Sequence, residues 1–402
     1  MQRLLDLFLF GMAATGAAAA EPVGREFRVN TFTDGDQRGP SVVALDSGFV
    51  VTWYSDGQDG SGYGVYGQRY DHDGKRVGSE FKINTHTRGH QQNRTVEALK
   101  NGGFVVAWES SGQDGSKGGV YTQRYRASGK KAGRETRVNS HTGGDQREPD
   151  VAALIGGGHV VVWHSQKQDG SGYGVFGQRF DSGGGKAAGE FQINTETNDD
   201  QEFPSVAPLP GGKFVVAWSS RGQDGSDSGI YGQRFNRAGD RIGPEFLINS
   251  TVEEYQGFPA VTALKGGAFV VTWSSWLQDG SEFGIYGQRF QADGQKLGEE
   301  FSVNSTTHLE QIYSSNAALE DGGFVSVWQS FEQDGSENGI FGQRFDHRGK
   351  KTGEEFLVNA HTNLAQEFAS VTGLPGGGFV VVWRSTDQDG SGTGIFGQRF
   401  AP

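Results

Sequence analysis

Two sets of side chains in this sequence could do chemistry, and both recur at regular intervals. The first is the aspartate of a Gln-Asp-Gly-Ser motif, found at Asp59, Asp114, Asp169, Asp224, Asp279, Asp334 and Asp389. Calcium takes about 6–8 oxygen ligands and usually several carboxylates, and each motif supplies one. An aspartate in a glycine-rich turn also accepts N–H groups of its own backbone. The motif therefore predicts loops held by their own aspartate, with a ring of calcium sites or direct ligand contacts as the alternatives.

The second set is aromatic and belongs to the later repeats. Phe203, Phe258, Tyr313 and Phe368 occupy one repeat position, and Trp276, Phe283 and Phe331 lie near the Gln-Asp-Gly-Ser motifs. Packing between repeats would explain them. Aromatic rings also stack on the apolar faces of sugars while Asn, Gln and Asp bind the hydroxyl groups. Packing is therefore one interpretation of these seven residues, and a ligand-binding surface is the alternative on which the functional prediction below rests.

A strict internal repeat shows which elements must position these side chains. Tryptophans stand 55 residues apart, at Trp53, Trp108, Trp163, Trp218, Trp273, Trp328 and Trp383. Each repeat has four short strand-like segments separated by Gly and Asp turns, which in the first repeat are 41–45, 49–53, 65–70 and 80–84. Four strands in a repeat of this length are typical of a propeller blade. The predicted fold is all-β, a seven-bladed β-propeller with four-stranded blades of about 55 residues.

The two ends of the sequence predict how the ring closes. The seventh repeat has three of its strands by residue 400, and a copy of the missing fourth, EFRVN, stands at 26–30. The N-terminal strand should complete the last blade, which also removes exposed strand edges. Residues 1–20 combine a basic residue, an apolar run and small residues, as in a secretory signal peptide. We expect 21–402 to form one exported domain, secreted or periplasmic.

The Gln-Arg-aromatic segment of each third strand predicts an internal ion pair. Pairing back from the turn at 73–74 puts Gly67 opposite Glu80 and Arg69 diagonal to Glu80, about 7–8 Å apart at the backbone. A carboxylate would offset the cost of burying an arginine between blades. We therefore predict structural pairs in all blades: Arg69–Glu80, Arg124–Glu135, Arg179–Glu190, Arg234–Glu245, Arg289–Glu300, Arg344–Glu355 and Arg399–Glu26.

Composition excludes several classes of protein. The formal net charge of −12 argues against a nucleic-acid partner, which would need a clustered basic face. The sequence has no cysteine, so disulfides do not stabilise it. After residue 20 it has no run of about 20 apolar residues, so no membrane span is expected.

The repeats resemble tandem W-x-S-x-x-Q-D-G-S-x-x-G-[IV]-[YF]-G-Q-R-F units of exported bacterial proteins, some of which occur alongside calcium-binding modules. The likeness covers nearly all of 26–400 and departs at Thr122, Tyr70 and Tyr125. It implies a repeat propeller and export, and it transfers no activity residue by residue.

The functional prediction is a secreted, non-catalytic binding module. Its expected partner is an extracellular glycan or a cell-surface component, bound through the loops by a monomer, with calcium as the possible cofactor. No paired carboxylates or Ser/His/Asp set can be assembled from the spacing, which argues against an enzyme. The alternatives are a structural or adhesive repeat protein with loop-bound calcium and, less favoured, a propeller hydrolase or lyase.

Overall fold

The fold is a ring of seven four-stranded antiparallel sheets, described for residues 20–402 by a computed structural model. The first strands of neighbouring sheets contact one another around the axis of the ring. The predicted seven-bladed β-propeller is therefore confirmed. The predicted signal peptide lies outside the described residues except for Ala20. No helix within 20–402 has the length and apolar character needed to cross a bilayer.

The strands follow one another from the axis outward in each blade, apart from the first strand of the chain. That strand, β1 (Pro22–Arg28), belongs to the last blade. Blade 1 consists of β2 (Gln37–Leu45), β3 (Gly48–Asp56), β4 (Tyr63–Tyr70) and β5 (Arg76–Lys82). Blade 2 consists of β6 (Gln91–Ala98), β7 (Phe104–Ser111), β8 (Gly118–Tyr125) and β9 (Thr136–Arg137). Blade 3 consists of β10 (Gln146–Ala153), β11 (His159–Gln166), β12 (Tyr173–Phe180) and β13 (Phe191–Gln192).

The remaining blades repeat the pattern. Blade 4 consists of β14 (Gln201–Pro208), β15 (Phe214–Arg221), β16 (Ser228–Phe235) and β17 (Arg241–Leu247). Blade 5 consists of β18 (Gln256–Ala263), β19 (Phe269–Trp276), β20 (Phe283–Phe290) and β21 (Lys296–Ser302). Blade 6 consists of β22 (Gln311–Ala318), β23 (Phe324–Phe331), β24 (Asn338–Phe345) and β25 (Lys351–Leu357). Blade 7 consists of β26 (Gln366–Gly373), β27 (Phe379–Thr386), β28 (Thr393–Phe400) and β1. Two short 3₁₀ turns, Pro210–Gly212 and Lys265–Gly267, join first and second strands.

Strand β1 closes the ring as the sequence predicts. It pairs antiparallel with β28, and the backbone N–H of Val29 donates to the carbonyl of Ile395 at 2.7 Å. The side-chain oxygen of Asn30 accepts the N–H of Ile395 at 2.8 Å. The backbone N–H of Ala401 donates to the carbonyl of Glu21 at 2.8 Å. Both ends of the chain are thus tied into one blade.

The hydrophobic core lies between blades. The second strands are buried on both faces, because each lies between two strands of its own sheet and between two neighbouring sheets, and their β-branched residues suit this position. The seven tryptophans at their ends have no exposed surface. Trp53 of blade 1, for example, packs with Val380 and Ile395 of blade 7. Burial of one blade against the next therefore stabilises the ring.

The predicted Arg–Glu pairs are wrong, because the outer hairpin has a different register. Gly67 pairs with Phe81 and Arg69 pairs with Val77, after an irregularity between Gly67 and Arg69. A shift of one residue moves a side chain to the other face of a sheet. A Cβ on Gly67 would lie 2.8 Å from the Phe81 ring, so the glycine makes room for that ring instead of for Glu80. None of the seven predicted pairs forms a salt bridge within 20–402.

The arginines of these segments bind the next blade instead. Arg69 donates to the carbonyls of Ser128 (3.0 Å) and Ala127 (2.9 Å), in the turn between the third and fourth strands of blade 2. Equivalent contacts are made by Arg124, Arg179, Arg234, Arg289 and Arg399. Arg344 differs because no turn joins β28 to β1 in blade 7. Its guanidinium lies 3.7 Å from the carboxylate of Asp321.

The glutamates tie loops together. Glu80 accepts the side-chain N–H of Gln58 at 2.5 Å and the backbone N–H of Thr31 at 2.8 Å. Gln58 belongs to the Gln-Asp-Gly-Ser loop of the same blade, and Thr31 to the loop that leaves the preceding blade. The same two contacts are made by Glu135, Glu190, Glu245, Glu300, Glu355 and Glu26. The arginines and glutamates thus make hydrogen bonds between blades and loops, with partners other than the predicted ones.

Candidate ligand-binding site

A cavity of about 600 Å³ lies where the first strands of the blades begin, at the axis of the ring. It opens on the loop face, which we define as the face carrying the Gln-Asp-Gly-Ser loops and the loops between blades. Its volume is in the range of small-molecule sites, which measure about 300–1,000 Å³. All seven first strands contribute to its wall.

Each first strand has one β-bulge, and in six of the seven blades the bulge directs a side chain into this cavity. Pairing with the second strand is interrupted at the same place in every blade, between Arg147 and Asp150 in blade 3 for instance. The residue at the bulge has φ between 47° and 59° throughout: Gly39, Asn93, Glu148, Phe203, Phe258, Tyr313 and Phe368. A non-glycine residue in this region costs on the order of 1–3 kcal/mol and is held there by its surroundings. Bulges of this kind re-aim side chains beside binding sites.

Three of the bulges are held by the preceding blade. The backbone N–H of the bulge residue donates to the side chain that follows the core tryptophan of that blade. The contacts are Phe203 N to His164 Nδ1 (3.3 Å), Tyr313 N to Ser274 Oγ (3.3 Å) and Phe368 N to Gln329 Oε1 (3.2 Å). Burial lowers the pKa of His164 to about 3, so its ring stays neutral and can accept this hydrogen bond.

Four of the predicted aromatic residues form a continuous half-ring in the cavity wall. Ring centroids are 4.7 Å apart for Phe203 and Phe258, 4.7 Å for Phe258 and Tyr313, and 5.2 Å for Tyr313 and Phe368. The guanidinium of Arg384 lies 4.9 Å from the Phe368 centroid and extends the surface. The structure therefore brings together side chains that are 55 residues apart in sequence.

The other three predicted aromatics lie outside the cavity wall. Trp276 and Phe283 contact each other with centroids 4.8 Å apart. Phe283 is 5.9 Å from Tyr255, and Tyr255 is 6.1 Å from Phe258. This aromatic path leads from the cavity across blade 5, and the sequence analysis missed Tyr255 as its middle member. Phe331 is 37% exposed and does not line the cavity.

The opposite half of the cavity is polar. Its wall includes Tyr54, Asn93, Arg94, Glu148 and Asp150. Burial raises the pKa of Glu148, an effect that Arg147 and Arg94 oppose. The carboxylate of Glu148 accepts no hydrogen bond from any residue of the described chain.

Asp150 binds other parts of the protein. Its Oδ1 accepts from the Val151 N–H (2.9 Å) and the Thr95 hydroxyl (3.1 Å). Its Oδ2 accepts from the Val206 N–H (2.9 Å) and the Ser205 hydroxyl (3.3 Å). Burial raises its pKa, and these hydrogen bonds oppose the rise. Asp150 thereby connects the first strands of blades 2, 3 and 4.

The sequence analysis did not assign a role to Arg94, Glu148 or Asp150. The signal that could have found them is departure from the repeat. Arg94 stands where the other blades have Pro, Ser or Ala, and Asp150 stands where they have Ser, Thr or Ala. Residues that break a repeat at the axis are candidates for binding, even when their neighbours are all structural.

The motif aspartates lie in seven separate loops, where they hold their own turns. Asp114 accepts the N–H of Ser116 at 3.1 Å and the side-chain N–H of Asn139 at 3.1 Å. The serine contact recurs at Asp59, Asp169, Asp224, Asp279 and Asp334, and Asp389 accepts from Asn30. In 20–402, no three His, Cys, Asp or Glu side chains form a group that could hold a metal ion. These contacts support the loop interpretation, and calcium binding stays a prediction.

A buried asparagine joins each of these loops to the blade. The side-chain oxygen of Asn194 accepts the Val175 N–H at 2.8 Å. Its side-chain nitrogen donates to Gln201 Oε1 (3.0 Å), the Glu196 carbonyl (2.6 Å) and Asp169 Oδ2 (3.4 Å). The loop face is therefore a hydrogen-bonded frame around the cavity.

Comparison with known proteins shows the fold and nothing finer. No family model matches the chain, and no curated protein matches its sequence. A protein of unknown function from Dyadobacter fermentans superposes with a TM-score of 0.56 at 12% identity, over 96% of this chain and 99% of that one. An α-L-arabinofuranosidase from Fusarium graminearum, in complex with an iminosugar inhibitor, gives 0.54 at 12% identity, over 93% and 98%. An α-L-arabinanase from Penicillium chrysogenum, complexed with arabinobiose, gives 0.52 at 16% identity, over 81% and 99%.

Proposed function

We propose that the cavity at the axis binds a glycan of the extracellular space and releases it unchanged. The observation that carries this proposal is the half-ring of Phe203, Phe258, Tyr313 and Phe368 facing a polar half-wall. The apolar face of a sugar stacks on such rings, while its hydroxyl groups need donors and acceptors on the other side. The polar half supplies both.

The strained backbone supports a binding role over packing alone. All seven bulge residues, the four aromatics among them, adopt the left-handed conformation at the cavity wall. Strain of this kind concentrates at ligand sites, where the surrounding structure maintains it. The hydrogen bonds from three bulges to the preceding blade maintain it here.

The carboxyl groups favour binding over hydrolysis. Most glycoside hydrolases use two carboxyl groups, one on each side of the scissile bond. Glu148 and Asp150 are the carboxyl side chains of the cavity wall. Asp150 already accepts four hydrogen bonds from the protein, so Glu148 alone has its oxygens available. An arabinanase with a similar fold was solved with arabinobiose, but at 16% identity that likeness concerns the fold alone.

The aromatic path through Tyr255 to Trp276 would let a polymer extend beyond the cavity. Single stacking contacts are weak, and several along one chain raise the overall affinity. Export directed by residues 1–20 and a monomeric state are part of the same proposal.

A glycan array with residues 21–402 tests the proposal, followed by calorimetry on the glycans that bind. Tyr313→Ala should weaken binding at least about tenfold, because it removes the central ring contact. Phe331→Ala is the matched control, since it removes an exposed aromatic outside the cavity and should leave affinity unchanged. Binding that survives Tyr313→Ala would place the site elsewhere. Release of sugar by the wild type that Glu148→Gln abolishes would favour the hydrolase alternative, and the absence of any bound glycan would favour the structural one.

A further inference from the structure

Arg94 breaks the repeat at the residue that follows the bulge. The six other blades have residues without charge at this position: Pro40, Pro149, Pro204, Pro259, Ser314 and Ala369. The arginine at this position places a guanidinium in the polar half of the wall of the axial cavity. Proline fixes the backbone here in four blades, so the arginine is not needed to form the strand.

The guanidinium of Arg94 has no partner among residues 20–402. It donates no hydrogen bond and forms no salt bridge there, and its Nε and Nη2 atoms are buried without an acceptor. The residue is only 9% exposed. Its guanidinium carbon lies 5.9 Å from the centroid of the Tyr54 ring. Burial lowers the pKa of Arg94 to about 10, which still leaves the group charged at neutral pH. A buried, unpaired cation is costly, which indicates that an anion from outside the chain completes it.

The two other arginines near Tyr54 are already paired. Arg38 lies 2.6 Å from Asp36, and Arg384 pairs with Glu367. Glu148 is the remaining carboxyl group near Arg94, and its charge opposes the lowering of the Arg94 pKa. The two side chains form no salt bridge. Within the described chain, Arg94 is therefore the positively charged side chain of this wall that is available to bind a ligand.

Gly39 lets Tyr54 and Arg94 pack closely against its bulge. A Cβ at this bulge would lie 2.8 Å from Tyr54 Cε1 and 3.2 Å from Arg94 Nη1. The equivalent bulges carry larger residues, and four of them are aromatic. The one glycine of the seven bulges thus adjoins the one arginine of the following positions, and the missing side chain lets the guanidinium and the Tyr54 ring lie against the bulge.

We propose that the glycan bound in the cavity is acidic, and that Arg94 binds its anionic group while the half-ring of aromatics stacks on a sugar face. This inference rests on the proposed function of the same site. Nη1 is the guanidinium nitrogen that is not among the buried atoms, and it can donate a charge-assisted hydrogen bond to a carboxylate or a sulfate oxygen. The ligand group is accordingly a uronic-acid carboxylate or a sulfate ester.

Calorimetry with residues 21–402 and pairs of acidic and neutral glycans tests whether the site recognises a carboxylate or a sulfate. The probes are oligosaccharides of galacturonic, glucuronic and mannuronic acid, each with its carboxyl-reduced neutral form, and sulfated galactan oligosaccharides with their desulfated forms. At least one acidic probe should bind about 10- to 100-fold more tightly than its neutral form, as expected for a hydrogen bond between charged groups. The pair that shows the difference identifies carboxylate or sulfate as the recognised group.

Arg94→Met should abolish that difference. Arg94→Lys should retain part of it, because the charge remains while the planar donor set is lost. Arg126→Met, on an exposed turn at the opposite face, is the control for loss of one positive charge, and melting curves confirm that each variant folds. Equal binding of acidic and neutral forms by the wild type would overturn this inference and leave glycan binding intact. A preference for acid that survives Arg94→Met would also overturn it, and failure of every glycan to bind would remove both proposals.

Discussion

Replacement of Asn194 by alanine tests whether the loop face is the hydrogen-bonded frame that positions the cavity. Asn194 is 1% exposed, and its amide group makes four contacts with the backbone and with neighbouring loops. Alanine keeps the backbone and removes all four contacts. Because one side chain serves several partners, the loss should exceed that of an ordinary surface substitution.

The magnitude follows from the groups that lose their partners. The N–H of Val175 is fully buried, and leaving it unpaired costs about 1–3 kcal/mol. The buried Oε1 of Gln201 loses its donor as well, which adds about 1 kcal/mol. We therefore expect a total loss of about 2–4 kcal/mol. A domain of about 380 residues has an unfolding entropy of about 0.8 kcal/mol/K, so the melting temperature should fall by about 3–5 °C.

The assay is a melting curve for wild type and variants of residues 21–402. Asn84→Ala is a replicate in blade 1, where the distances to Val65 N, Gln91 Oε1 and Asp59 Oδ2 are 2.8, 3.0 and 3.4 Å. It should lower the melting temperature by the same amount. Asn198→Ala is the control, since this asparagine lies in the same loop as Asn194 but is exposed. Equal melting temperatures for Asn194→Ala and Asn198→Ala would refute the reasoning.

Four further predictions concern the closure of the ring, its charged groups and calcium. Deletion of residues 21–31 removes β1 and leaves the N–H of Ile395 unpaired, so the melting temperature should fall well below that of 21–402; an unchanged curve would contradict closure by β1. Arg69→Ala should lower the free energy of unfolding, measured in urea, by less than about 1.5 kcal/mol, because it removes hydrogen bonds to an exposed turn. A loss of about 3 kcal/mol or more would favour the buried ion pair predicted from the sequence. The pKa of His164 is about 3 in the folded state and about 6.5 in the unfolded state. Between these pH values the unfolded chain binds one more proton than the folded chain, so the free energy of unfolding falls as the pH drops from about 6.5 to about 3. His164→Gln keeps the acceptor and should reduce the loss between pH 7 and pH 4 by about 3 kcal/mol, measured as urea midpoints; an equal loss in both proteins would reject this role. Calorimetric titration of calcium into metal-free protein decides the remaining metal prediction, and the absence of heat in millimolar calcium would leave the motif aspartates as loop residues.

The architecture could be predicted because the repeat is strict. Seven tryptophans at one spacing gave the number of blades, and the displaced copy of the fourth strand at 26–30 gave the closure. The Arg–Glu pairs could not be predicted, because they depended on the register of a hairpin that contains an irregularity. Gly78 has φ of 73° in β5, and Arg69 faces Val77 as a result. Nothing in the turn at 73–74 reveals that shift.

The candidate site was predicted in part. The four aromatics at one repeat position converge because each first strand brings that position to the axis. Phe331 shares their chemistry but is the last residue of a second strand, so it lies elsewhere. The polar half was missed because Arg94, Glu148 and Asp150 come from two blades and are distant from any motif. Only the bulges and the curvature of the ring bring them to one wall.

The left-handed bulges also affect how such a protein can change over evolutionary time. Their backbone angle is nearly constant, yet the side chain at this point is Gly, Asn, Glu, Phe or Tyr. Substitutions can therefore change the cavity wall one residue at a time, since the blade that carries each residue keeps its conformation. Seven independently variable positions around one axis would allow repeats with a common framework to diversify in specificity while the ring itself is conserved.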